Sequence, residues 1–149
     1  MIRGFTAMIT GASGAIPRHD WTRMNVHATM FYDQIRKRKS DIETIAKNTG
    51  FNVEDVRKIK EHIFFNEYDL GDETPSRFDP LYDIAVSWQR LIDGNNIKQM
   101  DVVLLHHELM EYELMEQQGM GYRDAHHMAE QVYDYSKFVK ELDEKEGLF

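Results

Sequence analysis

The sequence contains no cysteine, which excludes disulfides, thiolate nucleophiles and cysteine-type zinc sites while leaving the redox compartment open. Proline is scarce, with three in 149 residues, so long stretches carry no strong helix breaker. No apolar run approaches the roughly 18 residues that a bilayer span needs. Met1 to Ile16 holds one arginine but no continuous apolar stretch, so no secretory signal peptide is expected. Convincing period-two alternation is missing, and so are internal repeats, which argues against sheets and repeat architectures.

What is present is 42% hydrophobic and 11% aromatic residues with 30% charged. That is enough apolar surface for one globular domain to offset its ordering entropy, so disorder is excluded as the main state. The net charge of -8 is unevenly divided. Residues 1–60 carry 11 Lys/Arg against 6 Asp/Glu, and residues 61–149 carry 7 against 20. The acidic remainder repels phosphate, so the charge gives no support to nucleic acid as a partner. The basic run Arg36-Lys37-Arg38-Lys39 reads as a solvated helix end.

The punctuation predicts an all-α chain, a single compact bundle of five or six helices. Residues 1–19 form an irregular N-terminal segment, with Gly4, Gly11, Gly14 and Pro17 as breakers, and residues 20–149 form the helical domain. Thr10-Gly-Ala-Ser-Gly14 looks like a nucleotide-binding turn, but no strand–turn–helix context surrounds it. Asp20 caps a helix that runs through Lys39. Ser40-Asp-Ile-Glu43 reads as a capping box, and Gly50 as the C-terminal cap of the helix it opens. Asn52 starts a helix to about Phe65, and Asp79-Pro80 supplies a cap and first-turn proline for one that stops at Gly94. A helix over Gln99–Gln118 breaks at Gly119-Met-Gly121, and the last spans about Tyr122–Leu142.

The helix over Asp101–Gln118 is apolar around most of its circumference. Yet His107, Glu108 and Glu111 share one arc of roughly 100° with Leu104 and Met115. Ionisable groups on a buried arc are costly unless they pair, bind metal or shift their pKa values. Either they satisfy one another structurally or they form a site. His107-Glu-Leu-Met-Glu111 also approaches the zinc-protease pattern His-Glu-x-x-His, with Glu111 in place of the second histidine. On the final helix His126 lies at the edge of the core arc, with Glu130 one turn on, while His127 points to the polar face. Glu111 and His126 come out nearly level, with His107 about a turn and a half deeper. A site of His107, Glu111 and His126 is then feasible, without implying a tight four-ligand cage. His62 by itself reads as a packed or capping histidine, and Arg77 and Asp79 as linker residues. Ile45-Ala46, Gly50, Val56 and Ile59 have the spacing of a helix-turn-helix-like pair inside the bundle. Its second helix begins Asn52-Val53-Glu54-Asp55, and two carboxylates there oppose phosphate.

Taken in order, a further set of residues forms a pattern: His27-Ala28, Phe31-Tyr32 and Ile35-Arg36; Ile45-Ala-Lys-Asn-Thr-Gly50, Ile59-Lys60 and His62-Ile-Phe64; Arg77-Phe-Asp-Pro80 and Trp88-Gln-Arg-Leu91; Leu105-His-His-Glu108 with Glu111, and Ala125-His126. Over about residues 20–140 this resembles a domain at the C-terminal end of phage minor head (head-morphogenesis) proteins and of polymorphic-toxin-like proteins of Gram-positive bacteria. The resemblance implies a variable C-terminal module of the kind that carries toxins or effectors, cytoplasmic or virion-associated. Its polar signature falls on His62, Arg77, Asp79, His107, Glu108, Glu111 and His126.

Three readings follow. The first is a toxin-like effector with hydrolase or nuclease activity. His107 or His126 would act as general acid or base, with Arg77 stabilising a developing anion. Glu108 and Glu111 would orient the histidines or hold a divalent metal with His107 and His126, while His62 and Asp79 bind substrate. The second is a non-catalytic module that binds a protein partner, a phage head component or an immunity protein. The third is a helix-turn-helix DNA binder.

Overall fold

The computed structural model describes residues 16–147. The irregular segment expected at residues 1–19 therefore lies largely outside the described residues. Seven helices follow in order: α1 Trp21–Lys37, α2 Asp41–Thr49, α3 Val53–Phe64, α4 Tyr82–Asp93, α5 Gln99–Gln118, α6 Tyr122–Val132 and α7 Tyr135–Lys145. Among the described residues there are no strands, and one isolated antiparallel bridge joins Tyr68 to Ser76. No helix among them is long and apolar enough to cross a membrane.

Several helix ends form where local chemistry places them. The Asp20 side chain accepts from the Arg23 N–H, and Asn52 accepts from Glu54 N–H. Gly50 and Gly94 end α2 and α4 in the left-handed conformation, at φ 82° and 81°, where residues with a Cβ are strained. At Gly94 a Cβ would also lie 2.6 Å from the Asn48 amide nitrogen. That amide is fixed because it donates to the Leu91 and Ile92 carbonyls at the end of α4.

Three boundaries differ from expectation. Ser40 has helical φ/ψ and makes no side-chain cap, because the residue after it, Asp41, is drawn into the core. Asp79 does not cap α4, which starts at Tyr82 after the extended Leu81. The chain stays extended through Leu81, at φ -121° and ψ 128°, so the helix opens only after it. The final helix is two, which makes seven helices among the described residues rather than five or six. The chain breaks at Tyr133, and the Asp134 carboxylate then caps α7 by accepting from Lys137 N–H.

The main core sets Trp88 of α4 against Phe64 of α3, with ring centroids 5.2 Å apart. Phe31, Tyr32, Ile35, Ile45, Val56, Ile59, Ile63, Leu91 and Leu105 enclose them. Inside this apolar wall lies Asp41, fully buried. Its carboxylate accepts from Lys60 Nζ at 2.8 Å and from the Trp88 indole N–H at 3.1 Å. One acid thereby ties α2, α3 and α4. A smaller cluster of Met100, Leu104 and Tyr135, with Phe138, Val139 and Leu142 against it, docks α7. Arg18 reinforces it by bridging Asp83 of α4 to Asp143 of α7.

The expected helix-turn-helix-like pair falls on α2 and α3, where two of the basic residues are already engaged. Lys60 is buried on Asp41 and the Arg38 carbonyl, and Arg57 lies between Glu54 and Glu61. This removes two of the cations that a DNA-reading surface would need.

Two outcomes are expected from this arrangement. Asp41→Ala strands the Lys60 ammonium in the core and should cost about 3–5 kcal/mol in chemical denaturation. His27 is buried between Phe31 and Tyr82, and its Nδ1 has no hydrogen-bond partner among the described residues. Burial pushes its pKa down from 6.5 to about 4. The unfolded ring then protonates first, so this part of the stability is complete above the unfolded pKa and is lost as the pH falls toward the folded one. Between about pH 7 and about pH 4, His27→Phe should lose roughly 2 kcal/mol less stability than the parent, read from urea midpoints.

Candidate functional site

The long helix α5 carries the centre of the site because α3, α4, α6 and α7 all pack on it. His107, Glu108 and Glu111 are buried on one of its faces, as the arc reading requires. The chain reverses at Gly119, φ 66°, and α6 runs back along α5, bringing His126 to the same place. The expected offset of His107 along the helix axis closes because each side chain extends toward the Glu111 carboxylate.

Glu111 is the hub. One oxygen, Oε1, lies 2.7 Å from His62 Nε2, and the other, Oε2, lies 2.8 Å from His126 Nδ1 and 3.2 Å from His107 Nε2. The facing nitrogens of His107 and His126 are 3.3 Å apart. Glu108 stands beside them, with its oxygens 3.7 Å from His62 Nε2 and from His107 Nε2. The Glu111 side chain is 2% exposed and that of His126 40%, so the cluster is buried on one side and open on the other.

Hydrogen-bond chemistry assigns the ring protons. His107 Nδ1 lies 2.9 Å from the Tyr133 carbonyl, which can only accept, so Nδ1 carries a hydrogen. The Asn66 amide donates to the Tyr68 hydroxyl, which lies 2.8 Å from His62 Nδ1. The Tyr68 O–H therefore donates to His62 Nδ1, and His62 Nε2–H donates to Glu111.

These contacts shift the charges. Burial and the neighbouring Glu111 charge raise Glu108 to about 7. Burial also works to raise Glu111, but the bonds from His107, His126 and His62 hold it well below the usual carboxylate range. Burial opposes a proton on His107, yet Glu111, Glu108 and the Tyr133 carbonyl raise it to about 9. His126 is raised by its bond to Glu111, against its partial burial.

The open side faces a cavity of about 830 Å³ between α1, the stretch before α4, and α5 to α7. Tyr32, Phe78, Leu81, Tyr122 and Val139 are among its walls, with His107, Glu108, Glu111 and His126 at one end. The Tyr68–Ser76 bridge pinches residues 68–76 into a loop and places Phe78 on His62 and Tyr122, at 5.2 and 5.0 Å between centroids.

Of the residues expected at a site, His62, His107, Glu108, Glu111 and His126 converge. His62 is fully buried and has both ring nitrogens bonded, so it orients Glu111 and does not face a substrate. Asp79 is exposed at the cavity wall. Arg77 is exposed and does not line the cavity; its charge acts on Arg36 instead. His106 is outside too, stacked on Tyr133 and against Phe51. Residues not expected at the site are Tyr68, Asn66, Phe78 and Tyr112, the last edge-on to His62 at 5.9 Å. The aromatics Tyr68 and Phe78 in an otherwise polar linker were the available signal.

No family model, curated protein or solved structure matches the chain at a significant level, so the site stands on its geometry.

Tyr68→Phe deletes the donor to a buried imidazole and the acceptor for Asn66, and is expected to cost about 1–2 kcal/mol in thermal denaturation. His126→Ala, at the open edge, should change stability by under about 1 kcal/mol in the same measurement.

Proposed function

We propose that the chain is an effector-type hydrolase domain, of the toxin-like class that its resemblance to phage minor head proteins suggests. Its reacting groups are Glu108, His107 and His126 at the end of the cavity. The observation that carries this reading is the open side of the cluster. Two buried carboxylates and two imidazoles with raised pKa values border an apolar cavity large enough for a ligand. A satisfied structural network has no need of such an opening.

The surroundings favour an uncharged acyl compound over a phosphodiester. Arg77, the residue expected to stabilise a phosphate-like anion, lies outside the cavity. Around the cluster the wall carries Asp79, Glu130 and the two site glutamates, with Lys140 further along, and that balance repels polyanions. A carbonyl held against Phe78 and Tyr122 would meet water polarised at the His/Glu end, where the proton can pass to Glu108. His62, Tyr68 and Asn66 keep Glu111 in place.

A second reading, a non-catalytic module for a phage head component or an immunity protein, draws on the exposed Met128 and Val132 one turn apart on α6.

Tightly controlled expression in bacteria tests the proposal. Growth arrest by the parent chain, relieved by a folded His107→Ala/His126→Ala double variant at matched soluble level, is the expected result. Cleavage of quenched-fluorescent peptide and ester mixtures, but not of labelled RNA, should accompany it. Arrest that persists in the double variant overturns the proposal, and normal growth with both chains favours the interaction module.

A further inference from the structure

We propose that His107 Nε2, His126 Nδ1 and Glu111 Oε2 form a mononuclear site for a divalent transition-metal ion, with Glu108 placed as the base for a water bound on its open side. Only the role of Glu108 rests on the hydrolytic reading; the metal site rests on geometry.

The three atoms form a nearly equilateral triangle with edges of 2.8, 3.2 and 3.3 Å. An ion about 2.1 Å from each of its ligands separates them by about 3.0 Å in octahedral and about 3.4 Å in tetrahedral geometry. The triangle therefore matches one face of a coordination sphere. Two imidazoles and one carboxylate with the opposite face open make up the donor set of catalytic zinc and non-haem iron centres.

The protons agree. His107 must carry its hydrogen on Nδ1, where the Tyr133 carbonyl accepts it. In the neutral ring Nε2 is then a lone pair aimed at the triangle, the tautomer and outer-shell bond typical of a metal-ligating histidine. Without an ion, Glu111 Oε2 must accept hydrogens from two ring nitrogens that are themselves only 3.3 Å apart. One dication replaces both hydrogens and also offsets the two buried carboxylates.

A second candidate set, His62 with Glu108 and Glu111, lacks this logic. Tyr68 donates to His62 Nδ1, so Nε2 holds a hydrogen and offers no lone pair. His62 is also fully buried, with no open position for water. His62 is better placed as the outer-shell partner that presents the carboxylate.

Glu108 precedes Glu111 by three residues on the same helix and faces both the triangle and the cavity, 3.7 Å from His107 Nε2. Water on the ion loses a proton to Glu108, and the resulting hydroxide adds to an acyl carbon. Glu108 then returns the proton to the departing nitrogen or oxygen as the acyl bond breaks, so both hydrogens of the water end on the products.

The test is titration of the metal-stripped full chain with Co²⁺ and Zn²⁺, followed by calorimetry and by visible absorption of the cobalt form. The parent should bind one ion per chain. Affinity should fall at least about tenfold in His126→Ala and about hundredfold in Glu111→Gln, while Glu108→Gln and the neighbouring His127→Ala keep the stoichiometry. Because Glu111→Gln can disturb folding, the parent supplies an independent readout by NMR. Co²⁺ should shift the ring protons of His107 and His126 strongly and those of His127 little. No binding by the parent, two ions per chain, or affinity unchanged in His126→Ala overturns the site. Metal bound by the parent and by Glu108→Gln without growth arrest by either leaves the site standing and overturns the hydrolytic reading instead.

Discussion

A carboxylate without water must have its lone pairs satisfied, and much of the architecture around α5 follows from meeting that condition for Glu111. Three histidines from three helices meet its two oxygens. Each of them imposes a further constraint. His62 requires a donor on its far side, which fixes Tyr68 and with it the loop closed by the bridge to Ser76. His107 requires an acceptor, which it finds in the Tyr133 carbonyl where α6 ends. His126 requires that α6 pack back along α5. The loop, the reversal at Gly119 and the break before α7 thus all bring partners to one buried carboxylate cluster.

Asp41 shows what a buried acid looks like when it serves structure alone. It has one ammonium and one indole N–H as partners, it is sealed inside the apolar core, and its charge is cancelled. Around Glu111 the bookkeeping is different. Glu108 and Glu111 are two acids in the same buried place, the groups around them are imidazoles rather than Lys or Arg, and one side is open. An imidazole has two ring nitrogens that can each donate or accept a hydrogen, whereas the Lys60 ammonium only donates. The contrast within one chain separates a staple from a centre able to change state.

The legibility of the fold follows the range of the forces involved. Asp20, Gly50, Asn52 and Gly94 end or start helices as expected because a side chain or a φ angle acts on its own neighbours. The span Gln99–Gln118 was readable from periodicity and from the flanking breaks. Ser40 failed as a cap because the core claims Asp41, and Asp79 because the chain stays extended through Leu81. The split at Tyr133 had a local signal in Asp134, which caps α7, while the use of the Tyr133 carbonyl by an imidazole 26 residues away could not be read locally. The site divides in the same way. His107, Glu108 and Glu111 stand on one helical arc and His126 on the edge of another, so periodicity marks them. His62 joins from 49 residues away, and its role became apparent only with the fold. Arg77 had the right chemistry for an anion but lies on the wrong side of its loop.

The Arg18 clasp between α4 and α7 has a consequence for the cavity. It anchors α7 through Asp83 and Asp143, while Tyr135 secures its first turn through Ser87. Between these two attachments, Ser136, Val139 and Lys140 line the cavity without touching the Glu111 hub. Substitutions at those positions would change the shape of the cavity while leaving the Glu111 contacts and the clasp in place. The scaffold thus separates the residues that shape this part of the cavity from those that hold the Glu111 cluster together.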